Sequence, residues 1–310
     1  LRMIGDPHQL GSFEAVGALR LLAHDIGALE LTELHRFTDP TEARATLAIR
    51  DGNPSAAEHY QQRGRLHAGT REAMLDSAYT GWLHDPLAGP RSLLIASTGE
   101  EVSALNQRAR LDRVTAGHVS QSKTQLHDGT IAGEGDWVLT RRNQRLATTL
   151  GGRDFVKNGD RWTLQHLHPD GSATLVHHHH GGRVRLPADY LARDLELGYA
   201  ATAHRTQGAT VDTAHVLVTD ADSRQSLYVA ASRARMKTTL YAVTERDDTE
   251  LPEAGPRDGP RLLKQIISRD TDTASAIETI RLMQHPIART TLSPAEMPTF
   301  NTTQRQLPRL

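Results

Sequence analysis

The chain has 310 residues, of which 37% are hydrophobic, 24% charged and 4% aromatic, with no cysteine and a formal net charge of −1. The length predicts roughly two domains, and the composition excludes a disordered, collagen-like or coiled-coil chain. Without cysteine there are no disulfides, thiolate zinc sites or cysteine nucleophiles. No apolar run reaches the roughly 20 residues of a membrane span and no signal peptide is seen, so we expect a cytoplasmic protein.

Helical and strand-like patterns alternate over the first part of the chain. An apolar stub that ends in Gly5-Asp6-Pro7 has the pattern of a buried strand end, and residues 28–37 alternate like a strand. The apolar run 92–97 is typical of a strand buried on both faces of a parallel sheet, and a helix is predicted after it. Helical spacing is also found at 12–23, 40–64 and 67–80.

The pattern changes near residue 128, where the chain becomes rich in glycine and its apolar residues alternate. The turn signal Pro169-Asp170-Gly171 lies between two of the alternating segments, which predicts a small antiparallel barrel over 128–190. The predicted strands are 136–140, 160–167, 173–178 and 182–187.

An α/β pattern resumes after the predicted barrel. Helical texture is found at 196–208 and 222–235, and buried strands are predicted at 215–220 and 238–244. One amphipathic helix is predicted near 260–283, and the residues beyond it are expected to be loose.

Four segments combine residues suited to phosphate and single-strand chemistry. A glutamine can donate to a phosphate oxygen without adding charge, and the planar fork of arginine chelates phosphate. Small residues let backbone amides approach phosphate closely. Taken singly, the first segment is equally compatible with an ordinary turn and the second is better explained by a surface arginine, whereas a plain helix explains poorly the polar residues that cluster among small ones in the third. The segments are Gly5-Asp6-Pro7-His8-Gln9-Leu10, Leu31–Phe37, Leu197–Thr210 and Tyr228–Arg235.

In this order, the four segments resemble the signature motifs of superfamily 1 DNA helicases. The greatest similarity is to the RecD-like helicase half of conjugative relaxase–helicases of the TrwC and TraI kind, and it covers about residues 1–245. The resemblance implies a RecA-like parallel-sheet α/β motor domain with an inserted SH3-like β-barrel. The implied divisions are 1–23 as the end of a first motor domain, 24–127 and 191–250 as the second motor domain, 128–190 as the barrel, and 251–310 as a partly helical, loosely ordered tail.

The resemblance also assigns catalytic roles. It implies that Gln9 senses the γ-phosphate of ATP, that Arg36 reaches this phosphate from the second motor domain, and that Arg233 is the arginine finger. Gln207 and Gly208 are expected on the nucleotide side of the third segment.

Contacts with single-stranded DNA are implied for a second set of residues. Thr202 and His204 belong to the third segment, and the others lie in a strand–helix unit and in the predicted barrel, where cationic side chains give a local positive face. The set is Thr202, His204, Thr98, Asn106, Arg141 and Arg142.

The sequence contains no Walker A loop, because none of its lysines, Lys123, Lys157, Lys237 and Lys264, follows a glycine. No Asp-Glu pair follows an apolar strand either. We therefore expect a fragment truncated before the Walker motifs, inactive alone, which uses ATP and Mg²⁺ only together with a missing N-terminal half. The expected partners are single-stranded DNA and that motor or relaxase portion, or a homologue that supplies it.

Other functions remain open. The chain could be a non-catalytic module for single-strand binding or assembly, or a gene remnant without function. The histidines at 166, 168 and 177–180 also allow a metal-dependent nuclease. In relaxases, however, the metal-binding histidines belong to a separate N-terminal domain with its own tyrosine nucleophile, so we expect no metal site here.

Overall fold

The computed structural model describes Asp6 and residues 36–85, 91–244 and 258–269. Within these residues the α-helices are α1 (Pro40–Arg50), α2 (Ala56–Gln62), α3 (Arg71–Leu83), α4 (Gly99–Thr115), α5 (Ala188–Asp194), α6 (Arg224–Ala231) and α7 (Gly259–Ser268). The strands are β1 (Leu66–Gly69), β2 (Ser92–Ala96), β3 (Thr124–Gln125), β4 (Ile131–Ala132), β5 (Trp137–Thr140), β6 (Gln144–Thr149), β7 (Asp154–Val156), β8 (Arg161–Leu167), β9 (Ala173–His177), β10 (Arg183–Leu186), β11 (Leu195–Leu197), β12 (Ala200–Thr202), β13 (Val211–Val218) and β14 (Ala234–Val243). Single 3₁₀ turns lie at Leu150–Gly152 and His204–Thr206.

Five strands form a parallel sheet in the order β1-β14-β13-β2-β12. Strands β2 and β13 are buried along their whole length, as expected for a sheet covered on both faces. Side chains of β2 alternate between the faces: Leu94 and Ala96 share a core with α3 and α4, whereas Leu93 and Ile95 pack with α1, α2, α6 and α7. The predicted parallel-sheet α/β class is confirmed.

A second sheet is antiparallel, in the order β10-β9-β8-β5-β11. Four of its strands lie at the predicted segments, and the Asp170 carboxylate accepts the Ser172 N–H at 3.0 Å in the turn between β8 and β9. Strand β11 comes from beyond residue 190, so this sheet includes more chain than the predicted insertion. That the insertion is an SH3-like barrel, and that the domains divide at 128 and 190, remain predictions.

The two sheets share one hydrophobic core. The ring centroid of Trp82 in α3 lies 6.0 Å from that of Trp137 in β5 and 6.5 Å from that of Tyr199, which precedes β12. Trp137 and Tyr199 in turn lie 5.3 Å apart. Aromatic pairs at these separations stabilise the packing by more than their buried area alone accounts for. The antiparallel sheet is therefore joined to one face of the parallel sheet by continuous side-chain packing.

The helical prediction at 196–208 is wrong. This stretch forms β11, β12 and one 3₁₀ turn, because pairing with β2 overrides the helix preference of its alanines. The helix predicted at 222–235 stops at Ala231, and β14 begins at Ala234. Strand β1 interrupts the stretch predicted as helical around residues 40–80. The patterns at 12–23 and 28–35 lie outside the described residues, as does the chain beyond residue 269.

A fully buried carboxylate joins several elements of the parallel-sheet domain. Glu42 of α1 accepts hydrogen bonds from Arg65 Nη1 at 2.6 Å, from the Thr238 backbone N–H at 3.1 Å and, from the ring of His59, at 3.2 Å. Removing one partner of a buried charge pair leaves the other uncompensated, which is more costly than the pair is stabilising.

We expect Glu42→Gln to lower the free energy of unfolding by about 3 kcal/mol, since the buried guanidinium of Arg65 loses its counter-ion. Urea denaturation followed by tryptophan fluorescence measures this change. The matched control is Glu58→Gln, which breaks the exposed pair with Lys264 and should cost less than about 1 kcal/mol. Equal losses in the two variants would contradict this account of Glu42.

Candidate functional site

Two of the predicted arginines meet at one residue. The Ser232 carbonyl accepts a hydrogen bond from Arg36 Nη1 at 2.5 Å, and the Ser232 hydroxyl accepts one from Arg233 Nη2 at 2.6 Å. Burial lowers the pKa of both arginines, to about 10 for Arg233, whose pKa the charge of Arg36 lowers further. The structure thus concentrates positive charge, poorly solvated, at the end of α6. We call Arg36, Ser232 and Arg233 the arginine cluster.

The side chain of Arg233 points into the protein and is 1% exposed. Its Nε donates to the Val229 carbonyl at 2.8 Å, and its Nη1 lies 3.4 Å from the carbonyl oxygens of both Thr206 and Ala209. Among the described residues, its hydrogen bonds therefore go to carbonyl and hydroxyl oxygens, and none goes to a carboxylate. The charges that act on this guanidinium are those of Arg36, which lowers its pKa, and of Asp6, which raises it.

The beginning of the chain reaches the same region. The Asp6 carboxylate accepts a hydrogen bond from the Tyr228 hydroxyl at 3.0 Å. Burial and the negative charge of Asp6 raise the pKa of Tyr228 to about 12, so this hydroxyl stays a donor. Asp6 belongs to the first of the four sequence segments, and Tyr228 to the fourth. Gln9 lies outside the described residues.

Residues 203–210 connect the carboxyl end of β12 to the amino end of β13, and we call them the 203–210 loop. The loop contains a 3₁₀ turn at His204–Thr206, and Gly208 has a φ of +86°, a conformation that L side chains rarely adopt. The loop therefore carries Gln207 and Gly208 to the amino ends of the parallel strands, whereas Thr202 lies at their carboxyl ends. The first part of the loop therefore lies near α4, and its later part contacts Arg233.

Asn106 of α4 fixes the backbone just before this loop. Its side-chain oxygen accepts the N–H groups of Tyr199 and Ala200 at 2.9 and 2.8 Å, and its amide nitrogen donates to the Ala200 carbonyl at 3.2 Å. The side chain is 6% exposed. The structure thus places this predicted DNA contact inside the protein, where it satisfies the backbone of an edge strand.

Three other predicted DNA contacts lie at the carboxyl edge of the parallel sheet. Thr202 ends β12 opposite Ala96, the last residue of β2. Thr98 follows two residues later and caps α4, its hydroxyl accepting the Glu101 N–H at 3.2 Å. His204 is exposed just beyond Thr202. This arrangement presents two threonines and a histidine on neighbouring connections.

The cationic side chains predicted on the antiparallel sheet lie in two different surroundings. Arg141 lies 3.3 Å from the carboxylate of Glu196, to which Arg205 also approaches at 3.9 Å. Arg142 is exposed, and its carbonyl accepts the Tyr190 hydroxyl. Both remain predicted DNA contacts.

The sequence analysis missed a buried carboxylate that links the two sheets. Asp136, which is fully buried, accepts hydrogen bonds from the Tyr199 hydroxyl at 2.6 Å, from Arg110 Nε at 2.9 Å and from the Gly133 N–H at 2.7 Å. Burial, followed by the charge of Asp136, raises the pKa of Tyr199. A signal was present, since a carboxylate directly before an apolar strand needs buried partners.

The histidine cluster is occupied by backbone contacts. His177 Nδ1 accepts the His179 N–H at 3.1 Å, and His180 Nδ1 accepts the Gly182 N–H at 2.9 Å. These bonds place the proton of each neutral ring on Nε2. In the part of the chain that the structure describes, no three His, Asp or Glu side chains are grouped to hold a metal ion.

Comparison with known proteins gives the following relatives. The chain is 29% identical over 245 residues to a probable conjugal transfer protein TraA of Sinorhizobium fredii, which covers 78% of this chain and 22% of that protein. It is 28% identical over 270 residues to the RecBCD enzyme subunit RecD of Mycolicibacterium smegmatis, which covers 77% of this chain and 44% of that protein. Residues 1–71 match a family described as an AAA domain. The chain thus spans about a fifth of the length of the TraA relative.

Solved structures of Pif1 helicases are also similar. A Pif1 helicase from Bacteroides in complex with ADP-AlF3 and ssDNA is 16% identical, with a TM-score of 0.43, and the match covers 69% of this chain and 52% of that one.

The sequence relatives and the motifs agree. The resemblance to RecD-like superfamily 1 helicases seen in the motifs is confirmed by these relatives. No helix among the described residues has the length and apolar composition needed to cross a lipid bilayer.

We expect Asn106→Ala to lower the free energy of unfolding by about 2 kcal/mol, because the buried N–H groups of Tyr199 and Ala200 lose their acceptor. Chemical denaturation measures the loss. Gln107→Ala, an exposed neighbour on the same helix, is the control and should change stability by less than about 0.5 kcal/mol. An Asn106→Ala protein as stable as this control would show that water replaces the amide.

Proposed function

We propose that the chain is part of an ATP-dependent DNA helicase, in which it supplies the arginine side of the ATP site and binds single-stranded DNA. The observation that carries this proposal is the arginine cluster, in which Arg36 and Arg233 meet at Ser232 although 197 positions separate them in the sequence. The similarity to a RecBCD enzyme subunit and to conjugal transfer proteins supports a helicase-like function.

The charge of the arginine cluster suits the terminal phosphate of a nucleotide. In phosphoryl transfer, negative charge spreads over the oxygens of the transferred group, and an arginine that neutralises it raises the rate about 10³-fold or more. Arg36 and Arg233 would bind these oxygens. Bound Mg²⁺ would neutralise the phosphates from the other side. Its carboxylate ligand and a Walker A lysine are missing from this sequence and must come from other residues.

Arg233 has to change partners to act in this way. In the described structure its guanidinium is held by carbonyl oxygens of α6 and the 203–210 loop. Arriving phosphate oxygens offer stronger, charge-assisted bonds than these neutral acceptors. The same loop follows Thr202 and carries His204 at its other end, so a movement of Arg233 is expected to reach the proposed DNA contacts.

Single-stranded DNA is proposed to lie along the carboxyl edge of the parallel sheet. The hydroxyls of Thr98 and Thr202 and the ring of His204 offer hydrogen bonds to phosphate oxygens there, and such contacts carry no sequence preference.

A non-catalytic role is the second candidate, and it rests on one observation. The sequence has arginines for one side of an ATP site and no Gly-Lys pair for the other. In that case the chain binds single-stranded DNA, or supplies Arg233 to a partner that carries the phosphate loop. Restoration of DNA-stimulated ATP hydrolysis by an added polypeptide with the Walker motifs distinguishes the helicase function from a role in DNA binding alone.

We expect the chain to bind oligo(dT) weakly, with an affinity that falls as salt rises, because contacts to phosphates release counter-ions. The double substitution Thr202→Ala/His204→Ala should weaken binding about tenfold through lost charge-assisted hydrogen bonds. Fluorescence anisotropy at two salt concentrations measures both effects. Thr115→Ala/His118→Ala, an exposed Thr/His pair at the far end of α4, is the control. Binding that ignores salt would exclude a groove that follows the DNA backbone.

We expect no ATP hydrolysis by the isolated chain with Mg²⁺ and single-stranded DNA, because positioning by the absent phosphate loop is worth about 7–11 kcal/mol in oriented reactions. Adding a polypeptide with the Walker motifs of a TraA relative, fused or in trans, should restore DNA-stimulated phosphate release. Arg233→Ala should abolish the gain, and Arg233→Lys, which keeps the charge but not the fork, should restore only part of it.

Arg185→Ala is the control for this assay, since Arg185 pairs with Asp170 on the antiparallel sheet. Strong turnover by the isolated chain that disappears in Arg233→Ala would show that the chain has its own complete ATP site.

A further inference from the structure

A cavity of about 720 Å³ lies between the antiparallel sheet and the 203–210 loop. One wall is formed by Asp154 and residues 157–161 and 177–180, and the other by residues 207–212, with Arg91 and Arg235 beside them. Its volume is in the range of small-molecule sites, roughly 300–1,000 Å³. Neither Arg36 nor Arg233 lines the cavity, whereas Gln207 and Gly208, which are predicted on the nucleotide side, do.

Arg161, at the start of β8, is a buried cation in the wall of this cavity. It is 9% exposed, and its Nη1 donates to the Ser92 carbonyl at 3.2 Å, while its Nε and Nη2 have no hydrogen-bond partner among the described residues. Burial lowers its pKa to about 10. A buried charge that no carboxylate neutralises projects a positive potential into the nearest polar space, which here is the cavity.

A second surplus of positive charge lies at the amino ends of the parallel strands. Arg91 and Arg235 share a single carboxylate, that of the buried Asp212, with Arg235 Nε 3.0 Å from its oxygen. The two guanidiniums are 64% and 49% exposed, so each keeps donors for another acceptor. Lys157 is different, because its ammonium group is paired with Asp154 at 2.6 Å.

Histidines 177–180 lie on the wall of the cavity that faces the 203–210 loop. The rings of His177 and His180 stack with their centroids 3.8 Å apart, and their Nε2 atoms lie 3.6 Å from the carboxylates of Asp160 and Asp154. His178 lies behind them, and burial together with the charge of Arg161 lowers its pKa to about 2. This wall also carries the carboxylates of Asp154 and Asp160, which face Lys157, His177 and His180, so the cations that keep donors for a ligand are Arg91 and Arg235 on the other side of the cavity.

We propose that this cavity is a binding site for a phosphate-bearing ligand, held by Arg91 and Arg235 and attracted by the unneutralised charge of Arg161. The shared chemistry is a phosphate group, whose source is a free nucleotide or pyrophosphate in one case and the backbone of a nucleic-acid strand in the other. Bidentate guanidinium–phosphate pairing supplies the direct contacts, and the buried cation supplies the field.

The test uses the 310-residue chain and two probes, inorganic pyrophosphate and oligo(dT), in calorimetric titrations. Arg91→Gln should weaken the binding of the relevant probe about tenfold, as expected for one lost charge-assisted pair. Arg161→Met should weaken it by at least as much without losing an ion pair of the fold. Arg185→Gln is the matched control, since Arg185 is 56% exposed and paired with Asp170 but lies outside the cavity.

Pyrophosphate binding that weakens in Arg91→Gln and Arg161→Met, with oligo(dT) affinity unchanged, identifies a free phosphate ligand. Loss of oligo(dT) affinity in the same variants, with pyrophosphate competing against the oligonucleotide, identifies the strand backbone. No saturable pyrophosphate binding together with unchanged oligo(dT) affinity overturns the proposal, and so does an equal loss in Arg185→Gln. Arg91 is exposed, so its variant keeps the test valid if Arg161→Met does not fold. Binding lost only in Thr202→Ala/His204→Ala concerns the proposed DNA edge instead.

Discussion

The amide of Asn106 attaches β12 to α4, and the geometry of both proposed sites depends on that attachment. An edge strand of three residues has few ladder bonds of its own, so a side chain that satisfies two N–H groups and one carbonyl decides where it lies. The 203–210 loop starts from this strand. Because the start of the loop is fixed in this way, its two ends lie at opposite ends of the parallel strands.

Tyr199 extends this constraint to the antiparallel sheet. Its backbone is held by Asn106 and its hydroxyl by Asp136, which is also bonded to Arg110 of α4. One tyrosine therefore couples the position of the antiparallel sheet to the start of the 203–210 loop through three short bonds in a low-dielectric interior. A displacement of either sheet has to break these bonds or move with them.

Much of the fold could be predicted because local patterns and tertiary environment agree. Strands β2 and β13 are aliphatic throughout, as burial on both faces requires, and the Asp170-Gly171 turn marks the hairpin of β8 and β9. Strand β1 was missed because it has no apolar run, with exposed residues at His67 and Ala68. Strand β12 was missed because its alanines favour a helix locally, while its partner β2 lies far away in the sequence.

The site shows the same division. The resemblance to helicase motifs singled out Arg36 and Arg233, yet no pattern within a segment indicates that Arg233 turns inward onto carbonyl oxygens. Asp136 and Arg161 differ in their surroundings. The buried carboxylate of Asp136 accepts several hydrogen bonds, whereas two nitrogen atoms of the Arg161 guanidinium have no hydrogen-bond partner among the described residues. Such balances of buried charge depend on tertiary contacts, and sequence spacing does not encode them.

The register of β12 also has a consequence for the order of folding. Asn106 and Ala200 are 94 positions apart in the sequence. Bringing them together directly would close a long loop, and the loss of chain entropy would be offset only once the sheet has formed. Strand β11 ends three residues before β12 begins and pairs with β5, which lies much closer to α4 in the chain. Once the antiparallel sheet has formed, the remaining search for β2 is short. The antiparallel strands are therefore expected to form first and to bring β12 to the edge of the parallel sheet.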